Sequence, residues 1–304
     1  MLRGLYTAAA GMISQQRKHD TITNNIANIN TPGFKQGNAV SRSFPEMLIA
    51  MSVGGQDSPI SSPIGRINTG VMAEEELSIY LQGDLQETKN PFDLALISNI
   101  QVPGIAFDGA GKYITPDGER IYQPQAFFTV QDTNGENRYS RNGRFTVDSD
   151  GQLITPEGYR VLGQDGQPIV LTDNTDPANP VLLSDATIGP QGQFLDVVNG
   201  QPLNDANGNP ISLLISRVDN PNRLIREGNG VYRLNEEDAA QVVPIVNMNE
   251  QVQVEQGYIE RSNVDPTQSM IDMTSALRAY ETNQKMVQFY DKSMEKAVNE
   301  VGRV

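Results

Sequence analysis

The sequence of 304 residues contains no cysteine and no tryptophan. The first absence excludes disulfides and thiolate metal sites. The second, with aromatic residues at only 6%, argues against a glycan-binding groove lined by exposed rings. There is one histidine, His19. A catalytic histidine needs a nucleophile and an orienting carboxylate, and neither can be assigned to it. One histidine without cysteine is also too few for a zinc or transition-metal site. No run of about 18 apolar residues occurs, so no membrane span is expected. The opening Met1-Leu2-Arg3-Gly4-Leu5-Tyr6-Thr7 lacks a basic segment followed by an unbroken apolar core, so no Sec-type leader is expected. Export, if it occurs, would leave the N-terminus uncleaved. Basic residues are outnumbered, giving a formal net charge of −14. Such a surface repels phosphate backbones and excludes nucleic acid as an expected partner. Hydrophobic residues make up 38%, which favours several thin cores over one thick one.

What is present falls into a clear order. Leu2, Leu5, Ala9, Met12, Ile22, Ile26 and Ile29 recur largely at helical steps, so residues 1–33 read as a helix ended by Thr31-Pro32-Gly33. Residues 34–90 are weakly patterned and rich in Ser, Gly and Pro between Ser52 and Gly70. They read as an extended linker, with Phe44-Pro45-Glu46-Met47-Leu48-Ile49 as a candidate short helix. From 91 to 230 the period changes to two. Short apolar runs meet Asn134-Gly135, Asn142-Gly143, Asp150-Gly151, Glu157-Gly158 and Asp165-Gly166, the local signature of hairpins in an antiparallel β domain. Residues 231–264 read as a return segment. Asp265, Pro266 and Gln268 then supply an N-cap, a first helical residue and a capping-box partner for a helix over 265–304. That helix carries Met270, Met273, Leu277, Tyr280, Gln284, Val287, Asp291, Met294, Val298 and Val301 at alternating steps of three and four, a heptad seam.

The fold expected is therefore mixed α and β, with the N- and C-terminal helices pairing as a coiled coil around an inserted antiparallel β domain. Two helices cover only one face of each other. An apolar stripe with period 3.5 calls for further helices, which other copies of the chain can supply. On this reading Leu2, Leu5, Ala9, Met12, Ile26, Met270, Met273, Leu277, Tyr280, Val287 and Met294 belong to a subunit interface.

Several fragments of catalytic or metal motifs fail on spacing. Asp148-Ser149-Asp150-Gly151 and Asp205-Ala206-Asn207-Gly208-Asn209 lack the glycine and glutamate positions of a calcium loop and fit hairpin turns. Gly109-Ala110-Gly111-Lys112 lacks the first glycine and the final Ser or Thr of a phosphate loop. The run Glu74-Glu75-Glu76 fits a solvated face better than a hydrolase pair. No catalytic, cofactor-binding or metal-binding residue is assigned, and the chain is not expected to be an enzyme.

Three separated segments carry a family resemblance. Asn24-Asn25-Ile26-Ala27-Asn28-Ile29-Asn30-Thr31-Pro32-Gly33-Phe34-Lys35 resembles the N-terminal signature of the bacterial flagellar rod and hook–basal-body proteins. Phe128-Thr129-Val130, Arg138-Tyr139-Ser140-Arg141-Asn142-Gly143-Arg144-Phe145 and Gly158-Tyr159-Arg160-Val161-Leu162-Gly163 resemble the family's central region. Gln256-Gly257-Tyr258-Ile259-Glu260-Arg261-Ser262-Asn263-Val264 with Arg278-Ala279-Tyr280-Glu281 resembles its C-terminal region. The closest likeness is to the distal-rod type and its Gram-positive hook–basal-body relatives. The resemblance implies a torque-transmitting axial subunit at the flagellar basal body. It would be exported by the flagellar type III apparatus without signal cleavage, and would contact copies of itself and neighbouring rod or hook proteins. It also draws Asn24, Asn25 and Asn28 into the candidate interface, where their amides would fix register between helices; ordinary helix termination explains them equally well. The alternative function is an exported monomeric β-rich binding module.

Overall fold

The structure, a computed structural model, describes residues 2–52, 61–109, 111–173, 181–182, 187–196, 200–204, 208–235, 237–238, 242–245 and 251–301. It is mixed α and β, with one helix near each end and antiparallel strands between. Helix α1 spans Leu2–Ala27 and α2 Pro266–Lys296. The strands are β1 Gly37–Ser43, β2 Met47–Ser52, β3 Ser61–Ile67, β4 Val71–Ser78, β5 Leu85–Glu87, β6 Leu94–Ser98, β7 Lys112–Ile114, β8 Arg120–Tyr122, β9 Gln125–Gln131, β10 Asn137–Ser140, β11 Thr146–Val147, β12 Leu153–Ile154, β13 Arg160–Val161, β14 Thr172–Asp173, β15 Val181–Leu182, β16 Thr187–Ile188, β17 Phe194–Leu195, β18 Ile215–Val218, β19 Ile225–Gly228, β20 Val231–Arg233, β21 Val242–Pro244, β22 Val252–Gln256 and β23 Tyr258–Glu260. They group into two compact units. One, the helical unit, holds the chain up to Ala27, Gly37–Leu77 and the chain from Asp265; the other, the β unit, holds Asn28–Gln36 and Ser78–Val264.

In the helical unit, α1 packs against α2 and against β1. Two expectations for residues 34–90 are corrected here. The stretch is extended but paired: β1 joins β4 and β2 joins β3, and within Phe44–Ile49 the first three residues join β1 to β2 and Met47–Ile49 begins β2, so no helix forms. Small and polar side chains there made it look like free linker, yet α1 side chains anchor its backbone. The Thr7 hydroxyl donates to the Thr69 carbonyl at 3.3 Å, and the Asn25 amide exchanges bonds of 2.8 and 2.9 Å with the Gly37 backbone.

In the β unit, β9 is the central strand, flanked by β10 on one side and by β13 and β18 on the other. It is buried on both faces. Phe128 and Val130 enter the larger core with Leu94, Leu96, Phe145, Leu213 and Ile215, while Phe127 enters a smaller one with Tyr80, Val218 and Tyr232. Thr129, the one hydroxyl on β9, is satisfied by Ser216 at 2.7 Å, as a buried polar group must be. The turns at Gly135, Gly151, Gly158 and Gly166 have positive φ. Asp132 and Asp148 use their carboxylates to accept backbone N–H bonds across those turns, so the acidic turns are backbone devices. The Asp205–Asn209 turn lies partly outside the described residues.

Two further departures matter below. Residues 231–264, expected as a return segment, contribute β20 to β23, because Val231, Tyr232, Val252 and Val254 are buried. Asn142-Gly143 is not a hairpin tip: the Leu94 N–H donates to the Gly143 carbonyl at 2.9 Å, and a side chain at 143 would overlap the Leu94 carbonyl.

Candidate assembly interface

Helix α2 begins as its sequence requires. The Asp265 carboxylate accepts from the N–H groups of Thr267 and Gln268 at 2.8 and 3.1 Å, with Pro266 at the first turn. The second half of the expected capping box is replaced: Gln268 donates instead to Asp272 one turn on, at 3.1 Å.

The two helices run antiparallel. Gly4 faces the Tyr290 ring, and Gly11, seven residues later, faces Asn283, seven residues earlier. A methyl on Gly4 would overlap that ring, so the small residues allow close approach. The contact falls on the row Ser269, Ala276, Asn283 and Tyr290, of which Ser269 and Ala276 are the buried members. The heptad seam is thereby split. Met273, Tyr280, Val287 and Met294 flank that row and are half-buried, whereas Met270 and Leu277 are exposed. With them Ile271, Phe289 and Val298 leave apolar surface in water, Phe289 at 64% and Val298 at 72% exposure. On α1, Tyr6 and Ile13, seven residues apart, do the same.

The other candidate positions distribute as follows. Leu5, Ala9, Met12, Ile26 and Asn28 are half-buried and Asn24 is exposed. The Leu2 side chain lies outside the described residues. Asn25 is 2% exposed, with both ends of its amide engaged by Gly37; its role in this structure is internal.

Sequence reasoning missed a buried ionic node in the β unit. Lys35 Nζ lies 2.6 Å from Glu260 Oε1, and Arg141 Nε and Nη2 lie 3.0 and 2.9 Å from Glu260 Oε2. All three side chains are at most 1% exposed. The remaining polar atoms are matched as well. Lys35 donates to the Leu81 carbonyl, Arg141 to the carbonyls of Leu96 and Ala126 and to Ser98 Oγ, and Glu260 accepts from the Gly83 N–H. Burial pushes the Lys35 ammonium down to about 8, helped by the like charge of Arg141 and opposed by Glu260. For Glu260, burial alone would raise the carboxyl; Arg141 and then Lys35 outweigh it and hold it below its ordinary value.

Around the node the backbone is close-packed. Gly33, at φ +69°, has its α-carbon pressed on the Arg141 backbone, and its N–H donates to the Glu260 carbonyl at 2.8 Å. The Asn263 side chain bonds the Gln36 N–H and the Ile79 and Leu81 carbonyls. Arg226 donates to the Lys35 carbonyl and Ser78 Oγ and stacks on Phe34 with its guanidinium 5.0 Å from the ring centre. Lys35, Arg141 and Glu260 each come from a different one of the three segments that carry the family resemblance. Their conspicuous Gly-Phe-Lys, Ser-Arg-Asn-Gly and Ile-Glu-Arg-Ser-Asn patterns gave the signal; their convergence could not be read from local spacing.

Among the described residues, no cluster of three or more His, Asp or Glu is arranged to hold a metal ion, and no helix is long and apolar enough to cross a membrane.

Comparison with known proteins agrees with this geometry. Residues 5–35 match the family described as flagella basal body rod protein. Residues 123–195 match the flagellar hook protein FlgE/F/G D1 domain, and residues 255–300 the flagellar basal body rod FlgEFG protein C-terminal region. Each node residue lies in a different one of these stretches. The flagellar hook-basal body complex protein FlhO of Bacillus subtilis is 35% identical, with 100% of both chains covered. The flagellar basal-body rod protein FlgG of Borreliella burgdorferi is 30% identical over 97% of both chains, and that of Agrobacterium fabrum 30% over 96% of both. With likeness running the length of the chain and through all three segments that build the node, the protein belongs, as a structural subunit, to the flagellar basal-body rod and hook–basal-body family.

Proposed function

We propose that this subunit polymerises through its terminal helices, with copies of itself and with neighbouring rod or hook proteins, to form part of the torque-transmitting flagellar axle. The observation that supports this reading is the apolar surface that α2 leaves exposed, at Met270, Ile271, Leu277, Met286 and Phe289, on a helix otherwise rich in polar residues. Burying such a side chain contributes about 1.5–3 kcal/mol each, so a face left in water in one copy favours contact with another. Residues 1–33 and 265–304 form the polymerisation part. Leu2, Leu5, Ala9, Met12, Asn24, Ile26, Asn28, Met270, Met273, Leu277, Tyr280, Val287 and Met294 lie at or beside its contacts, with helices of several copies wound as coiled coils. Asn25 supports that surface from within. The role is architectural and not enzymatic. The protein reaches the basal body through the flagellar type III apparatus without signal cleavage.

The test is motility and basal-body morphology in cells whose only copy carries Leu277→Glu, beside deletions of 1–30 and 265–304. Leu277 is exposed in the single chain, so the point variant keeps its fold. All three are expected to abolish swimming and to leave rods or hooks incomplete. Normal swimming after either deletion contradicts the proposal.

A further inference from the structure

Glu260 is the last residue of β23, and its two cationic partners lie 225 and 119 residues earlier in the chain. We infer that Glu260 is a latch: the β unit holds its native packing only once the segment 252–264 has docked and delivered this carboxylate. The inference does not depend on the assembly reading, since every group in it belongs to the β unit.

Among the described residues, Glu260 is the sole carboxylate within ion-pair distance of Lys35 or Arg141. The Leu81, Leu96 and Ala126 carbonyls orient the two cations but do not neutralise them. With 258–264 undocked, two like charges would face each other beside the core. Removing one partner of a buried ion pair lowers the folded-to-unfolded ratio by roughly 10²- to 10³-fold or more. The backbone points the same way. The segment closes onto β6 through β22 and onto β5 through β23. The Glu260 carbonyl and the Asn263 side chain tie down residues 33–36 and 79–81. Val252 and Val254 complete the core that contains Phe128 and Leu96. A chain that ends before 260 therefore has its central sheet residues but no stable β unit, which confines folding to chains that carry the C-terminal segment.

The test is native-state hydrogen exchange on the full-length protein in low denaturant. Amides of Leu94–Ser98, Gln125–Gln131 and Val252–Glu260 should exchange through one shared opening, with the same denaturant slope. Exchange of 252–260 while 125–131 stays protected would overturn the latch. Full-length variants separate charge from packing. Glu260→Gln should lower protection of the central strands about 10²- to 10³-fold, or prevent folding, while the combined Lys35→Met, Arg141→Leu and Glu260→Leu variant should recover most of it. Undiminished protection in Glu260→Gln, or a triple variant as weak as the single one, would overturn the inference.

Discussion

The two units handle their difficult groups in opposite ways. The β unit buries the three charges of the node and matches them with one another and with the backbone. Its central strand is covered on both faces. The helical unit does the reverse, leaving Tyr6, Phe289 and Met270 mostly in solvent although they are among its largest apolar side chains. One unit covers its core within a single chain, while the other leaves large apolar side chains exposed. Substitutions in the β unit should therefore act on the monomer, and substitutions on the outer rows of α2 should act on association.

Substitution and pH should act differently on the two units. Phe128→Ala should have the largest effect, lowering the unfolding free energy of the β unit by about 3–5 kcal/mol in urea titration, with the helical unit's far-UV signal retained. Gly33→Ala follows. Its φ of +69° disfavours any other residue, and the new methyl would stand 2.5 Å from the Arg141 carbonyl carbon. Strain of this kind costs about 1–3 kcal/mol before the overlap is counted, and the same titration reads it.

Acid should loosen the node. The folded Glu260 carboxyl sits below the unfolded value of 4.5, so its contribution is complete above that pH and is lost as pH falls through the folded value. In a Glu260→Gln protein that part of the acid slope should vanish, as measured by urea midpoints between neutral and acid pH. Asp265→Ala removes the cap of α2 and should cost about 1 kcal/mol, seen as faster amide exchange in its first turn. Leu277→Ala should be the smallest, changing monomer stability by no more than about 0.5 kcal/mol while weakening association.

Local chemistry made much of this visible in the sequence. The Asp265-Pro266 start of α2 and the Asp148 to Gly151 turn follow from side-chain and glycine preferences that act within four residues, and both occur as the residues dictate. The helix over α2 was visible in its steps of three and four, but the row that α1 covers was not; that row runs through Ser269 and Ala276 and depends on where Gly4 and Gly11 admit Tyr290 and Asn283. Asn142-Gly143 misled because the dipeptide that favours a hairpin tip also suits a place where another strand's carbonyl presses on the backbone. The ionic node was illegible for a plainer reason. Lys35, Arg141 and Glu260 read singly as solvated charges, and no local period joins residues more than a hundred positions apart.

On the proposed function, other molecules cover the apolar side chains that α2 leaves exposed. With no native cysteine, a single Leu277→Cys substitution gives a clean probe of it. Its rate of maleimide labelling should be fast in dilute monomer and fall at least about tenfold in concentrated assemblies, whereas Glu157→Cys, on an exposed turn of the β unit, should show no such change. Equal labelling of Cys-substituted position 277 in monomer and assembly would contradict the account.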